Sequence, residues 1–319
     1  MTRVLVVGGG AIGGITAAGL DVPVVVLDAN RSHAAALRAP GLTYAFEGTS
    51  HVVPLDAVSS VDELSGSFDF ALVAVKAPVH EAALAPLVAR GGIGAFVSMG
   101  NGLIQDRLAA IVGGDLIACV VEWGGSNVGP GRLVRDSGGG FMVGELDGTV
   151  RERTRELAAV LAPVGPARVT ANVRGMIWSK LLINSTFTGL SAVSGLRYGG
   201  VASQGSDAVF GLWREGVAVA QRLGLTLESI HGTDPLAFDA AELDRMMAAM
   251  ANVRPSMLQD LDAGRETEVD VVNGGVATAG RAVGVATPCN DAVVALVHSM
   301  ERGERSPDPR WLRTVADAA

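Results

Sequence analysis

Residues 4–14 read Val4-Leu5-Val6-Val7-Gly8-Gly9-Gly10-Ala11-Ile12-Gly13-Gly14, a valine-rich run that passes straight into glycines spaced G-x-G-x-x-G. An apolar run of this length predicts a buried strand, and the glycines that follow predict a tight turn opening a helix. Gly8 permits the turn, Gly10 lets the backbone approach a pyrophosphate, and Gly13 allows close helix packing. The first helical residues, Ala11 and Ile12, would offer unpaired N–H donors and the positive end of the helix dipole to the phosphates. Val22 to Leu27 reads as a second strand ending at Asp28, which completes a βαβ unit.

The alternation continues outward from this unit. Phe70 to Val75 and Ile93 to Ser98 are strand-length apolar runs, with a helical stretch at Ala82 to Ala89 between them. Leu116 to Glu122 reads as another strand, and the glycines from Gly124 to Gly140 predict hairpins or turns. Beyond Thr170 the periodic segments are helical, notably Met176 to Thr188, Val209 to Leu223, Ala241 to Val253 and Val271 to Val283. The expected fold is therefore an α/β, Rossmann-type dinucleotide-binding domain over residues 1–167, followed by a mainly α-helical domain over residues 168–319. A chain of 319 residues also exceeds what one hydrophobic core usually serves.

Composition removes several other classes. Hydrophobic residues make up 49% and charged residues 18%, which excludes a disordered or coiled-coil chain. The formal charge is −8 and no basic run could neutralise a row of phosphates, so no nucleic-acid partner is expected. The apolar stretches are glycine-broken and short of the ~20 residues of a membrane helix. Thr2 to Val7 lacks the pattern of a secretory leader, and a cytoplasmic location is expected. Two isolated cysteines, Cys119 and Cys289, read as buried small residues, and the five histidines lack ligand spacing, so no metal is expected. The apolar stripes of the helical half would serve an internal core or a homodimer surface equally well.

Several polar residues stand where chemistry would need them. Asp28, 20 residues past Gly8, is placed to accept from an adenosine ribose 2′-OH, which favours NAD(H). Arg31 nearby offers a guanidinium for a 2′-phosphate, which favours NADP(H). Lys76 and Asn101 each follow a strand where open parallel sheets present ligand-binding residues, although a surface lysine and an Asn-Gly turn would read the same. Lys180 and Asn184 are one helical turn apart in an otherwise apolar segment, and Thr188 extends that face. A lysine so placed can protonate a ketone oxygen as it becomes an alkoxide, or simply reach from the helix edge to water. In the later segment, Glu268 is suited to orienting that lysine and Ser256 to meeting a carboxylate; both also read as solvated helix ends.

These motifs together resemble the 2-dehydropantoate 2-reductase (ketopantoate reductase) family over nearly the whole chain. The pieces that carry the likeness are Gly8 to Gly14, Asn101-Gly102-Leu103, Trp178 to Asn184, Ser256 to Asp260, Thr267 to Asp270 with Asn273-Gly274, and Thr287-Pro288-Cys289-Asn290. The resemblance implies NADPH-dependent reduction of 2-dehydropantoate to pantoate, the reductive step toward pantothenate and coenzyme A. It implies Lys180 and Glu268 as catalytic residues, Asn184 and Ser256 as substrate-binding, and Lys76 and Asn101 as cofactor-proximal. Thr188 stands where the family often has a second asparagine, and Gly100 where glutamine is common. Asp28-Ala29-Asn30-Arg31 replaces an arginine directly after the second strand, which predicts weaker discrimination between NADPH and NADH. Two other readings of the same residues are a dehydrogenase of another 2-keto or 2-hydroxy acid, and a dinucleotide sensor without turnover.

Overall fold

The computed structural model describes residues 1–114 and 116–319. Its first unit comprises Met1–Gly100 with Ile104–Val173. In chain order it runs β1 (Val4–Val7), α1 (Ala11–Gly19), β2 (Val24–Leu27), α2 (Arg31–Ala36), β3 (Leu42–Phe46), β4 (Thr49–Val53), β5 (Asp56–Val58), β6 (Phe68–Val73) and α3 (His80–Arg90). There follow β7 (Ile93–Ser98), α4 (Gln105–Val112), β8 (Leu116–Val121), β9 (Gly125–Gly129), β10 (Arg132–Arg135), β11 (Phe141–Glu145), α5 (Glu152–Leu161) and β12 (Ala167–Val169).

Every residue of β1 is buried, as a continuous apolar strand requires when both faces of its sheet are covered. The main sheet has the order β12-β11-β8-β7-β6-β1-β2-β5. β1 pairs in parallel with β2 in register Val4 with Val24, and with β6 in register Val4 with Phe70. The chain thus winds outward from β1 to β5 and then returns to continue through β6, β7 and β8. Strand order reverses between β1 and β6, and their carboxyl ends are where an open sheet leaves a crevice. Those ends lead into Gly8 and Lys76.

A second sheet of order β4-β3-β10-β9 joins two hairpins through the parallel pair β3 and β10. The glycine-rich stretch 124–140 thus supplies the expected hairpin, and residues 42–53 supply one that the sequence reading left unassigned.

The second unit comprises Asn101–Leu103 with Arg174–Ala319. Its helices are α6 (Val173–Ile183, starting at the boundary), α7 (Gly189–Ser194), α8 (Tyr198–Gln204), α9 (Ser206–Arg222), α10 (Ala240–Met250), α11 (Ser256–Asp262), α12 (Asn273–Val283), α13 (Pro288–Glu301) and α14 (Arg310–Ala316). Between α6 and α7 the helix widens into a π-turn at Asn184–Thr188. The core is built on Leu181, Leu182, Phe187, Leu212, Trp213 and Val293 with their neighbours. Trp178 Nε1 donates to the Gly216 carbonyl at 3.0 Å and Trp213 Nε1 to that of Pro235 at 2.9 Å, so both large rings bury without an orphaned donor. The division falls at Val173/Arg174, a few residues past 167/168, because β12 still pairs with β11. No helix among the described residues is long and apolar enough to cross a membrane.

Candidate active site

The turn after β1 is built as the glycine spacing requires. Gly8 has φ +99°, and a Cβ there would lie 2.7 Å from Val75 Cγ1. A Cβ on Gly13 would lie 2.0 Å from the Gly8 carbonyl oxygen, so only glycine lets α1 start this close to β1. At Gly10 the opposite holds: no atom lies within 4 Å of the position a Cβ would take. Gly10 precedes α1, whose N-terminus no side chain caps. Open space over bare backbone beside the positive end of a helix fits a dinucleotide pyrophosphate.

Asp28 braces this turn. Its Oδ2 accepts from Gly9 N–H at 2.8 Å and its Oδ1 from Asn30 N–H at 2.9 Å. Each carboxylate oxygen keeps a second lone pair, so a ribose hydroxyl can still be accepted there. Asn30 Oδ1 caps α2 by accepting from Ser32 and His33 N–H, and Arg31 is exposed at the first position of that helix. Lys76 is half-buried just beyond β6.

His33, to which the sequence reading gave no role, is buried behind the same turn. Its Nδ1 accepts from Gly131 N–H at 3.0 Å, which leaves Nε2 to donate to the Gly9 carbonyl at 2.7 Å. The imidazole therefore ties the nucleotide turn to the β9–β10 hairpin. Its position three residues after an Asn helix cap was the one local signal for it.

In the second unit a hollow of about 260 Å³, counting space open to solvent, is lined by Asn101, Asn184, Thr188, Ser256 and Glu268, all named from sequence. Met257, Asp260 and Val272 complete its wall. Lys180 is half-buried on α6, one turn before Asn184, and is not among the lining residues.

Each polar group reaches the hollow for a local reason. Asn101 arrives because Gly102, at φ +80°, packs where a Cβ would lie 2.4 Å from the Val271 carbonyl, to which Leu103 N–H donates at 2.8 Å. Asn184 Nδ2 then donates to Asn101 Oδ1 at 3.3 Å. The π-turn carries both Asn184 and Thr188, and such turns often occur at functional sites. Asn273 Nδ2 holds it by donating to the Ser185 carbonyl at 2.8 Å and to Asn290 Oδ1 at 2.9 Å. Asn290 is fixed in turn by Glu215, whose carboxylate accepts from its Nδ2 at 2.7 Å and its backbone N–H at 3.0 Å.

Thr188 is buried, and its hydroxyl shares a 2.8 Å hydrogen bond with that of Tyr198, whose phenol burial pushes up to about 12. Ser256 and Asp260 are one turn apart on α11, the first exposed and the second 1% exposed. Asp260 Oδ1 accepts from Arg265 Nε at 2.9 Å and pairs with its Nη2 at 2.8 Å, which balances a carboxylate taken out of water. In the sequence Asp260 is marked only by its i+4 spacing from Ser256 within the Ser256 to Asp260 motif. Among the described residues no group of three His, Cys, Asp or Glu side chains could hold a metal ion.

Comparison with known proteins covers both units. The family described as "Ketopantoate reductase PanE/ApbA" matches residues 4–148, and "Ketopantoate reductase PanE/ApbA C terminal" matches residues 172–301. A 2-dehydropantoate 2-reductase of Mesorhizobium japonicum is 32% identical, across 94% of this chain and 99% of its own. The crystal structure of a PanE/ApbA family ketopantoate reductase from Ralstonia eutropha JMP134 superposes with a TM-score of 0.80 at 26% identity, covering 95% of this chain and 99% of that one. D-mandelate dehydrogenase, solved with NADH and anilino(oxo)acetate, shares the fold at a TM-score of 0.81 and 22% identity, covering 95% and 99%.

Proposed function

Because the chain belongs to the ketopantoate reductase family, and is thus an NAD(P)H-dependent reductase of a 2-keto acid, we propose that it reduces 2-dehydropantoate to pantoate with NADPH. The observation that carries this reading is convergence. Asn101, Asn184, Thr188, Ser256 and Glu268 come from distant parts of the sequence and line one small hollow, with Lys180 a single turn from Asn184. A non-catalytic sensor would have no need of that set.

The Gly8–Gly13 turn and the start of α1 would hold the pyrophosphate, Asp28 and Arg31 would meet the adenosine ribose, and Lys76 would bind nearer the reactive end. When bound, the reduced nicotinamide would supply the hydride that the keto carbon takes up. Lys180 donates its Nζ proton to the oxygen that becomes an alkoxide, so the former ketone oxygen ends as a neutral hydroxyl group on the hydroxy acid. Glu268 orients the lysine and the substrate. The amides of Asn101 and Asn184 and the hydroxyl of Ser256 fix the acid by directional hydrogen bonds, converting binding into alignment for attack. Thr188, with its hydroxyl already bonded to Tyr198, shapes the pocket near the substrate's distal group.

Asp28 at the end of β2 favours a second reading of the cofactor alone, with NADH accepted beside NADPH.

Removing the lysine tests the mechanism. Lys180→Ala is expected to lower kcat by roughly 100-fold or more, the scale of a lost general acid, while NADPH binding stays near normal. Glu268→Ala is expected to impair turnover too, and the double variant to lose less than the product of the single effects. A Lys180→Ala enzyme with near-normal kcat would contradict the mechanism.

A further inference from the structure

Glu268 lies in the short segment between α11 and α12, outside any helix or strand, so the direction of its side chain depends on what fastens the segment at each end. Both ends are fastened to α13. Thr267 N–H donates to Glu301 Oε1 at 2.8 Å, and Asp270 Oδ1 lies 2.9 Å from His298 Nε2. His298 Nδ1 lies 3.1 Å from Glu301 Oε2, so one imidazole joins the two carboxylates that hold the segment.

An ionised carboxylate only accepts, so both contacts are hydrogen bonds only when both ring nitrogens carry protons. Within this bracket the Glu268 carbonyl accepts from Val271 and Val272 N–H at 3.2 and 3.0 Å, and the Val269 carbonyl from Gly274 N–H at 2.8 Å. The backbone on the C-terminal side of Glu268 is thereby tied to the start of α12, while Thr267 and Asp270 are tied to α13. Val269 is 1% exposed and Glu268 is buried, so a shift of this segment moves groups packed in the interior.

We propose that His298 is a positioning residue: through its ring contacts with Asp270 and Glu301 it clips residues 267–270 to α13 and so fixes the direction in which Glu268 enters the polar hollow. The inference rests on the role given to Glu268 above. It adds to the family's motifs a residue outside them, acting through Asp270 and Glu301 and touching no substrate.

The test uses the full-length protein with 2-dehydropantoate and NADPH, and a double-mutant design. His298→Phe keeps a ring and removes both donors; Asp270→Ala cuts the clip at a side chain that is 69% exposed. Each is made alone and together with Glu268→Ala, and kcat, KM, NADPH Kd and Tm are measured. Each clip variant is expected to lower kcat roughly 10-fold, inside the range that misplacing a reacting group reaches, with NADPH Kd unchanged. In the Glu268→Ala background the same changes are expected to have no further effect on kcat, because their influence runs through Glu268. Normal kcat in both clip variants, or equal losses in both backgrounds, would overturn the proposal. Should His298→Phe not fold, Asp270→Ala decides alone. A Glu268→Ala enzyme with normal kcat is a separate result, which sinks the role of Glu268 itself.

Discussion

Asp28 shows how much a single residue can conceal in the sequence. Its place at the end of β2 was legible and underlies the ribose contact proposed for it, but its hydrogen bonds to Gly9 and Asn30 N–H join residues whose backbone geometry no pattern of letters gives. His33 was silent for the same reason, since its partner Gly131 is 98 residues away. The cysteines were read correctly as buried small residues, and burial beside Glu215 pushes the Cys289 thiol up to about 12. The bracing seen for Asp28 and the ribose contact proposed for it make a two-part prediction. Asp28→Ala should destabilise the turn by about 1.5–3 kcal/mol, the usual worth of a hydrogen bond to a charged group, and should shift the kcat/KM ratio several-fold toward NADPH. Thermal melts and kinetics with both cofactors check the two parts independently. An unchanged ratio would leave Asp28 with the structural task alone.

At the scale of elements, the βαβ unit was legible because strands buried on both faces are continuous apolar runs and the glycines between them have a steric reason. The second sheet was not. β4 is exposed along most of its length and its residues, Thr49 to Val53, do not alternate as a half-buried strand would. The π-turn at Asn184–Thr188 was equally hidden, since one widened turn leaves the helical periodicity of Met176 to Thr188 intact. Gly10 offers the sharpest test of the nucleotide-binding element. Its φ of −64° and ψ of −169° suit any residue, and its Cβ position is open, so Gly10→Ala should fold with a loss of no more than about 1 kcal/mol. The added methyl would stand where the pyrophosphate must approach, and NADPH Kd should rise at least 10-fold. Calorimetric titration alongside a thermal melt separates the effects. Unaltered affinity would show that the cofactor does not lie over this turn.

For the whole molecule, the change from strand-length to helix-length runs made two units legible. The allegiance of Asn101–Leu103 to the second unit was not, because it depends on Gly102 meeting Val271 some 170 residues later. Global stability has a pH signature at Glu145, which is buried at the end of β11. Burial alone would raise its pKa, but hydrogen bonds from Arg153 and Thr154, with the charges of Arg153 and Arg151, outweigh it and hold the carboxyl below its usual range. A depressed folded value means a contribution fully present above the unfolded value of about 4.3 and lost as pH falls through the folded one. Glu145→Gln should therefore lower Tm at neutral pH, and the gap to wild type should close in acid; a gap that stays constant to the acid limit would refute this linkage. The central claim, that this chain is a reductase for 2-dehydropantoate, is tested most directly by following the absorbance of NADPH and of NADH as the purified protein meets that acid and a panel of other 2-keto acids. The account predicts the highest kcat/KM with 2-dehydropantoate, NADPH preferred by a modest margin. Cofactor binding with no oxidation by any 2-keto acid, or a clear preference for a different acid, would contradict it.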